Sequence, residues 1–280
     1  MALSTINLTS GMRANLFSLQ KTSQDMEITQ NRLATGLKVN TALDDPISFF
    51  TAQEHRLRAS DLAGRKDGMS EAIQTIKAAN VGVESISDLI AQAKSLAQSA
   101  MSASASDAEI FATQYATVME QIDEVAEDSG YKGINLLQGG SLTVEFAPTA
   151  GDATLSVEGF GGTDGFVTNV MSDAGTGANW VSGTDVSAAN IQSAIDGLDA
   201  ALGDLRTESK TLSNNLSIIT AREEFTSQMI NTLEDGAAKL TEADMNEEGA
   251  NMLMLQTRQA LGTTSLSMAS QAAQSVLRLF

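Results

Sequence analysis

The most constraining feature of the sequence is a row of aliphatic residues that recurs every seven positions from Ile191 to Leu233. Alternate steps of four and three residues along this stretch meet thirteen positions, and ten of them hold Leu or Ile. A helix with this spacing places all ten side chains on one narrow stripe. The 43 residues predict a helix roughly 65 Å long, at ~1.5 Å per residue.

A stripe of this length has to be buried against other long helices, because packing of an apolar face supplies most of a helix's stability. The sequence therefore predicts a mostly α fold, a long-helix bundle or coiled coil. We assign the seam of this rod to five positions of the row: Ile191, Leu198, Leu205, Leu212 and Ile219.

The composition agrees with long helices and disfavours several functions. Only 4 % of the residues are aromatic and two are proline, whereas 42 % are hydrophobic. Cysteine is absent, which removes disulfides, thiol catalysis and cysteine metal sites. The net charge of −18 disfavours nucleic acid and anionic membranes as partners, because phosphate contacts need clustered Lys and Arg.

The charge is unevenly distributed along the chain. Residues 1–43 and 250–280 each carry a net charge of +2, so the residues between them carry −22. No stretch approaches the ~18 consecutive apolar residues of a membrane span, and we expect no membrane insertion. The N-terminal stretch lacks the apolar run of a secretory signal and instead has an amphipathic helical pattern, so we expect no cleaved signal peptide.

Both ends predict amphipathic helices that need a partner in order to fold. The N-terminal helix, expected to end near Thr35 before Gly36, carries six large apolar residues worth at most ~10–15 kcal/mol on burial. Ordering its backbone costs at least ~1 kcal/mol per residue. We therefore assign an assembly interface to the apolar positions of both ends: Met12, Leu16, Leu19, Met26, Leu33, Leu37, Met254, Leu261, Met268, Val276 and Leu279.

Local signals divide the remainder into helices and one insertion. Asp45-Pro46 predicts a helix start, with that helix running toward Gly64 and a second one from about Asp67 to Ser102. A capping box at 106–109 opens a third helix that stops at Gly130, and Glu234-Asp-Gly236 predicts a break before a last helix from about Glu247. Ten of the 22 glycines and alternating apolar residues at 139–184 predict a strand, a turn at 148–151 and a strand.

The expected domains are an N-terminal assembly helix (1–43), the first half of the rod (44–138), a small β-rich outer insertion (139–184), the long C-terminal helix of the rod (185–235) and a C-terminal assembly helix (236–280).

No pattern in the sequence favours catalysis. Asp44 and Asp45 fit a helix cap better than a metal site or an acid/base pair, because adjacent residues at a helix start do not converge. His55 lacks a partner at ligand spacing. The glycines near 160 are not followed by Lys and make no phosphate loop. We therefore expect no catalytic, cofactor or metal site, and no enzyme.

Several motifs resemble those of bacterial flagellins. They are residues 31–40 (NRLATGLKVN) followed by Asp44-Asp45-Pro46, residues 130–137 (GYKGINLL), residues 221–223, and three stretches of the tail at 243–259, 265–269 and 276–280. The resemblance covers about 1–138 and 185–280. It implies a structural subunit that polymerises into the extracellular flagellar filament, with the terminal helices forming its inner core.

The resemblance also implies partners and a route of export. Flagellins pass through the flagellar secretion apparatus without a cleaved signal peptide, bind an export chaperone, and meet junction and cap proteins at the two ends of the filament. Those that the innate Toll-like receptor recognises present a charged helix face, which corresponds here to Gln92, Lys94 and Leu96. This chain has Gln92 and Ser95 where the recognised form has a basic and an acidic residue, so we expect weak receptor activation.

Two other functions remain open from the sequence. A hook–filament junction protein has ends similar to those of flagellin, but residues 131–137 and the tail at 276–280 favour flagellin. A soluble coiled-coil adaptor would form a stable dimer and no long polymer. An enzyme carried in the insertion is disfavoured, because residues 139–184 contain no His, Lys or Arg.

Overall fold

The computed structural model describes residues 10–147, 153–160 and 174–277. These residues form five α-helices, one short 3-10 helix and two antiparallel strand pairs. The elements are α1 (Ser10–Thr35), α2 (Pro46–Met101), α3 (Ala105–Asp128), the 3-10 helix (Leu136–Gln138), β1 (Ser141–Glu145), β2 (Thr154–Glu158), β3 (Val181–Ser182), β4 (Asp185–Val186), α4 (Ala188–Thr241) and α5 (Met245–Leu277). The predicted fold class, a mostly α protein of long helices with a small β-rich part, is confirmed.

The chain divides into two compact units. The terminal unit comprises Met1–Leu57 and Thr232–Phe280, and the central unit comprises Arg58–Asn231. The terminal unit thus contains α1, α5 and the adjoining ends of α2 and α4. The central unit contains the rest of those two helices, α3 and all four strands.

The prediction of two helices meeting between Gly64 and Asp67 is wrong, because α2 is continuous there. A glycine inside a helix costs roughly 1 kcal/mol relative to alanine. Leu62 and Met69, on either side of this stretch, are buried, and their packing outweighs that cost.

The predicted break at Glu234-Asp-Gly236 is also wrong, because α4 continues to Thr241. A Cβ atom at Gly236 would lie 3.6 Å from Cδ2 of His55, so this glycine sits in a helix contact rather than at a helix end. The last helix begins at Met245 instead of Glu247, because Asp244 Oδ1 accepts from the amide nitrogens of Asn246 (2.9 Å) and Glu247 (3.3 Å).

The start of α3 differs from its prediction as well. Its N-cap is Ser104, whose Oγ accepts from the Asp107 amide at 3.3 Å and donates to the Asp107 carboxylate at 2.7 Å. The expected capping box, two residues later, therefore lies inside the helix. The helix ends at Asp128, two residues before Gly130, where Asn135 Nδ2 donates to the carbonyl oxygens of residues 126 (2.8 Å) and 127 (2.9 Å).

The core of the central unit is built from α2, α3 and α4. One cluster packs Ile191, Leu198 and Leu205 of α4 with side chains such as Ile90 of α2 and Ile122 of α3, all of them essentially inaccessible to solvent. A second cluster packs residues of α4 and α2 against the 3-10 helix and the first strand pair. Its members include Leu212 and Ile219 of α4, Met69 and Ile76 of α2, Leu136 of the 3-10 helix, Val144 of β1 and Val157 of β2.

The insertion contains the predicted strand pair, and a second pair, which the sequence analysis missed, extends from its end to Val186. β1 pairs antiparallel with β2, with Val144 opposite Leu155; the turn predicted at 148–151 lies outside the described residues. β3 and β4 form a short hairpin next to Trp180. The Trp180 ring is buried against Tyr115 of α3, with 4.6 Å between ring centroids. The Tyr115 hydroxyl donates to the carbonyl oxygen of Ala174 at 3.0 Å, and burial raises the pKa of Tyr115 to about 12.

Candidate assembly site at the paired ends

The two terminal helices, α1 and α5, pack against one another within the terminal unit. Thr22 and Thr29 are the buried residues of α1, and Leu255 is a buried residue of α5. At Gly262 a Cβ atom would lie only 2.6 Å from Cδ2 of Leu19, so the glycine permits a close approach of the two helices.

Polar side chains join the same two helices. Arg32 Nη1 donates to Glu248 Oε1 at 2.8 Å, and the Glu248 side chain is only 9 % exposed. Asn15 Nδ2 donates to Ser265 Oγ at 3.0 Å. Pairs of this kind fix which residues of the two helices lie opposite one another, because a slip would leave the Glu248 carboxylate buried without its partner.

Backbone hydrogen bonds tie together the two segments that lead into the terminal helices. The amide nitrogens of Lys38 and Val39 donate to the carbonyl oxygen of Thr241 at 2.8 and 3.2 Å, and the Ala243 amide donates to Gly36 at 2.9 Å. Gly36 has a φ of +74°, which favours glycine, and α1 ends at the preceding residue as predicted.

Of the two adjacent aspartates, Asp45 caps the start of α2 as predicted, whereas Asp44 closes the turn before the helix instead of capping it. Asp44 Oδ2 accepts from the Thr41 amide (2.8 Å), the Thr41 hydroxyl (3.1 Å) and the Asn40 amide (3.1 Å). Asp45 accepts from the Ser48 hydroxyl at 2.7 Å and from the Ile47 amide at 3.1 Å. Hydrogen bonds from Thr41 and Ser48 are the main reasons why the pKa of Asp44 and of Asp45, respectively, lies below its usual value. Both carboxylates are therefore committed to the turn and the helix start.

The predicted assembly residues occupy two different environments. Met12, Leu19, Met26, Leu33 and Leu37 are partly buried, whereas Leu16 is 40 % exposed. On α5, Met254, Leu261 and Met268 are 52 %, 67 % and 61 % exposed. Val276 lies near the end of α5 with its side chain outside the described part, and Leu279 lies outside the described residues.

Besides Met245 at the first position of α5 (49 % exposed), three further large apolar side chains are exposed on the terminal helices and were missed by the sequence analysis. They are Phe17 (75 %), Ile28 (52 %) and Leu253 (67 %). Each lies one or two positions away from the apolar row of its helix, in which residues are spaced by alternate steps of four and three. The pattern of a single stripe therefore does not include it. Apolar surface on several faces of a helix is typical of a helix that is enclosed by more than one neighbour.

The other predicted sites lie in the central unit. All five rod-seam residues, Ile191, Leu198, Leu205, Leu212 and Ile219, are at most 1 % exposed. On the receptor-type face Gln92 is exposed and Leu96 is partly buried. Lys94 Nζ donates to the carboxylate of Asp199, at 2.7 Å from Oδ2, so the positive charge of Lys94 is balanced by a carboxylate of the same chain.

Two features of the described residues bear on other functions. Among the described residues, no group of three or more His, Cys, Asp or Glu side chains is arranged to hold a metal ion. Within the same ranges no helix has the length and apolar character that crossing a membrane requires.

The fold and this site define a class: a helical structural subunit whose paired ends carry exposed apolar side chains. Comparison with known proteins agrees with that class. The model of the bacterial flagellin N-terminal helical region matches residues 4–141, and that of the C-terminal helical region matches residues 188–280.

Curated relatives match over nearly the whole chain. Flagellin FljK of Caulobacter vibrioides is 27 % identical over 282 residues, which is 100 % of both chains. A flagellin of Brucella melitensis is 27 % identical over 95 % of both chains. The chain belongs to the bacterial flagellin family and is a structural subunit of the extracellular flagellar filament. No match favours the hook–filament junction protein.

Proposed function

We propose that this flagellin polymerises through its paired ends, with the exposed faces of α1 and α5 buried against the ends of neighbouring copies. The observation that carries the proposal is a set of seven large apolar side chains, each 40–75 % exposed: Leu16, Phe17, Ile28, Leu253, Met254, Leu261 and Met268. Three of them, Met254, Leu261 and Met268, recur every seven residues on one face of α5, and apolar residues grouped on one face mark a binding surface more often than scattered ones do. Val276 and Leu279 belong to the same proposed interface.

Burial of these side chains against neighbouring copies is energetically favourable. Full burial of a large apolar side chain stabilises by ~1.5–3 kcal/mol, so covering the exposed parts of these seven contributes roughly 6–12 kcal/mol per subunit. The partly polar contact between α1 and α5 gives each chain a register without giving it a large core of its own. Association with neighbouring copies then supplies most of the stability of the ends.

Assembly through the paired ends gives each segment of the chain its own position in the filament. Residues 1–43 and 236–280 form the inner core of the filament, residues 44–138 and 185–235 form the rod around it, and residues 139–184 form a small outer insertion. The acidic rod faces solvent, whereas residues 1–43 and 250–280, each with a net charge of +2, are enclosed. The function is mechanical, with no catalytic step, cofactor, nucleic acid or membrane insertion.

The same ends contact the other proteins of filament assembly. The hook-associated junction protein at the base and the cap protein at the tip meet the terminal helices, and an export chaperone covers part of them before secretion. Export proceeds through the flagellar secretion apparatus without a cleaved signal peptide. These partners rest on membership of the family, and the exposed apolar faces give them a surface to bind.

Seeded assembly of point variants tests the proposal. The variant Leu261→Gln/Met268→Gln removes two exposed apolar side chains from α5 and is expected to elongate wild-type seeds far more slowly than the parent. Gln256→Ala/Gln271→Ala, on exposed polar positions of the same helix, is the matched control and is expected to elongate normally. Equal elongation by both variants would contradict the proposal, and discrete dimers from the parent chain would favour an adaptor.

A further inference from the structure

The side chains of this protein that are open to oxidation are mainly methionines. Cysteine is absent, so methionine is the only residue type that carries sulfur. The single tryptophan, Trp180, is 2 % exposed, and Tyr115, one of the two tyrosines, is fully buried. Thioethers react readily with peroxides, and the reaction needs access to the sulfur atom. Exposure of each methionine therefore decides where an oxidant acts on the chain.

The methionines differ widely in exposure. Met69 and Met119 belong to the core of the central unit and are 0 % and 9 % exposed. In contrast, Met101, Met254 and Met268 are 41 %, 52 % and 61 % exposed. Met101 is the last residue of α2 and lies in the central unit, whereas the other two lie on α5 in the terminal unit. Exposed thioethers are thus present both at the paired ends and away from them.

Met254 and Met268 share one face of α5. They are two heptads apart, and Leu261, which is 67 % exposed, lies midway between them on the same face. Met245, at the first position of α5, is also exposed, but at 3.6 residues per turn it lies on the opposite side of the helix from Met254. Two oxidisable side chains therefore belong to the apolar face for which we propose burial against neighbouring copies.

Oxidation changes the chemistry of this face. The sulfur lone pair attacks one oxygen of hydrogen peroxide, an S–O bond forms and the O–O bond breaks. The proton of the transferred oxygen passes to the departing hydroxide, which leaves as water, so sulfur loses two electrons and the peroxide gains them. The product, methionine sulfoxide, is polar where the thioether was apolar. A polar oxygen buried without a hydrogen-bond donor is unfavourable, whereas the same oxygen in water is not.

We propose that Met254 and Met268 are a modification site for peroxides, and that a sulfoxide at either position excludes the unassembled subunit from a growing filament. The inference rests on the proposed function, because it requires this face of α5 to be buried in the filament. Reaction at these positions is confined to subunits that have not yet assembled. The block is reversible, since sulfoxide reductases return the thioether.

A competition within partly oxidised wild-type protein tests the proposal without any variant. Unassembled full-length chains are treated with hydrogen peroxide to partial conversion, the peroxide is removed, and the chains elongate wild-type seeds that carry a heavy-nitrogen label. Elongation is stopped while unassembled chains remain. Tandem mass spectrometry then gives the sulfoxide fraction at each methionine in the filaments and in the unassembled pool, with the seed peptides separated by mass. Met101 is the internal control, because it is exposed but lies outside the paired ends.

The sulfoxides of Met254 and Met268 are expected to be at least about fivefold scarcer in the filaments than in the unassembled pool, since each adds an unpaired polar group to a buried face. That of Met101 is expected at equal levels in both. Equal levels at all three positions would overturn the proposal, and so would equal depletion at all three, which indicates general damage.

A variant without sulfur at the site gives a second test. Met254→Leu/Met268→Leu keeps the apolar volume, and after peroxide treatment it should elongate seeds as it does untreated, whereas treated Met101→Leu should slow as treated wild type does. Slowing of both treated variants to the same extent would contradict the proposal. If the leucine variant does not elongate untreated, the competition within wild-type protein decides. Failure of untreated wild type to elongate would refute polymerisation itself, whereas slow elongation by Leu261→Gln/Met268→Gln without depletion of the sulfoxides would refute the oxidation site alone.

Discussion

Gly82 of α2 offers a sharp test of how the helices of the central unit pack. A Cβ atom at this position would lie 2.1 Å from Oγ and 2.7 Å from Cβ of Ser129, and 2.7 Å from Cδ1 of Leu137. Ser129 is the C-cap of α3, so its backbone is held in place and cannot withdraw freely. The substitution Gly82→Ala therefore forces α2 away from the end of α3.

Two opposing effects set the magnitude. Alanine gains ~0.8–1.0 kcal/mol of helix propensity over glycine. Overpacking of a well-packed core typically costs ~1–3 kcal/mol, and the contacts at Gly82 are closer than real Cβ atoms tolerate. We expect a net loss of about 1–2 kcal/mol from the free energy of unfolding of the central unit.

Gly203 of α4 is the matched control. It also lies inside a long helix, but a Cβ atom there would meet nothing within 4 Å, so Gly203→Ala is expected to stabilise by ~0.5–1 kcal/mol. Denaturant unfolding of the monomer, followed by the fluorescence of Trp180, the single tryptophan, reports on this unit alone. If Gly82→Ala proves as stable as Gly203→Ala, the close packing of α2 against the end of α3 is refuted.

Three further outcomes are expected. Arg32→Met should weaken protection of α5 amides from hydrogen exchange more than Arg32→Met/Glu248→Met does, because the single variant leaves a buried carboxylate unpaired; the reverse order would contradict the role of the pair. Burial raises the pKa of Glu208, so its ionisation opposes folding as pH rises through the folded-state value. Glu208→Gln should therefore raise the unfolding midpoint at pH 7 and lose that advantage in acid, and a constant advantage would disprove the assignment. Because Lys94 is paired with Asp199 and Gln92 is neutral, Toll-like receptor reporter cells should respond weakly, and a response equal to that of a strongly stimulatory flagellin would refute this.

Long seams could be predicted from the sequence because their physical cause is local and repeated. Ile191, Leu198 and Leu205 recur at a spacing that only a helix turns into one stripe, and one buried stripe of that length needs other long helices. The cap at Asp45 could be predicted for a similar reason, since its hydrogen bonds reach only residues two and three positions away.

Helix breaks could not be predicted, because tertiary packing decides whether a glycine is tolerated. Gly64, Gly68 and Gly236 cost propensity in an isolated helix, and neighbouring buried residues offset that cost in the fold. The hairpin beside Trp180 was missed for a related reason. Its anchor is the ring of Tyr115, 65 residues earlier, and no local pattern reveals a contact over that separation.

The face of α5 that contacts α1 is a third case. A heptad row through Met254, Leu261 and Met268 is evident in the sequence, yet those side chains are more than half exposed. The contact with α1 instead uses Gly262, where the missing Cβ allows close approach to Leu19. A helix with apolar residues on several faces does not specify which face meets its own chain and which meets a neighbour.

The central claim is that the paired ends drive assembly into a filament. The most direct measurement is electron microscopy of the purified chain after seeding, beside a version that lacks residues 1–43 and 250–280. The account predicts long uniform filaments from the complete chain and none from the shortened one, whose central unit should still unfold cooperatively. Filaments from the shortened chain, or only discrete dimers from the complete chain, would contradict it.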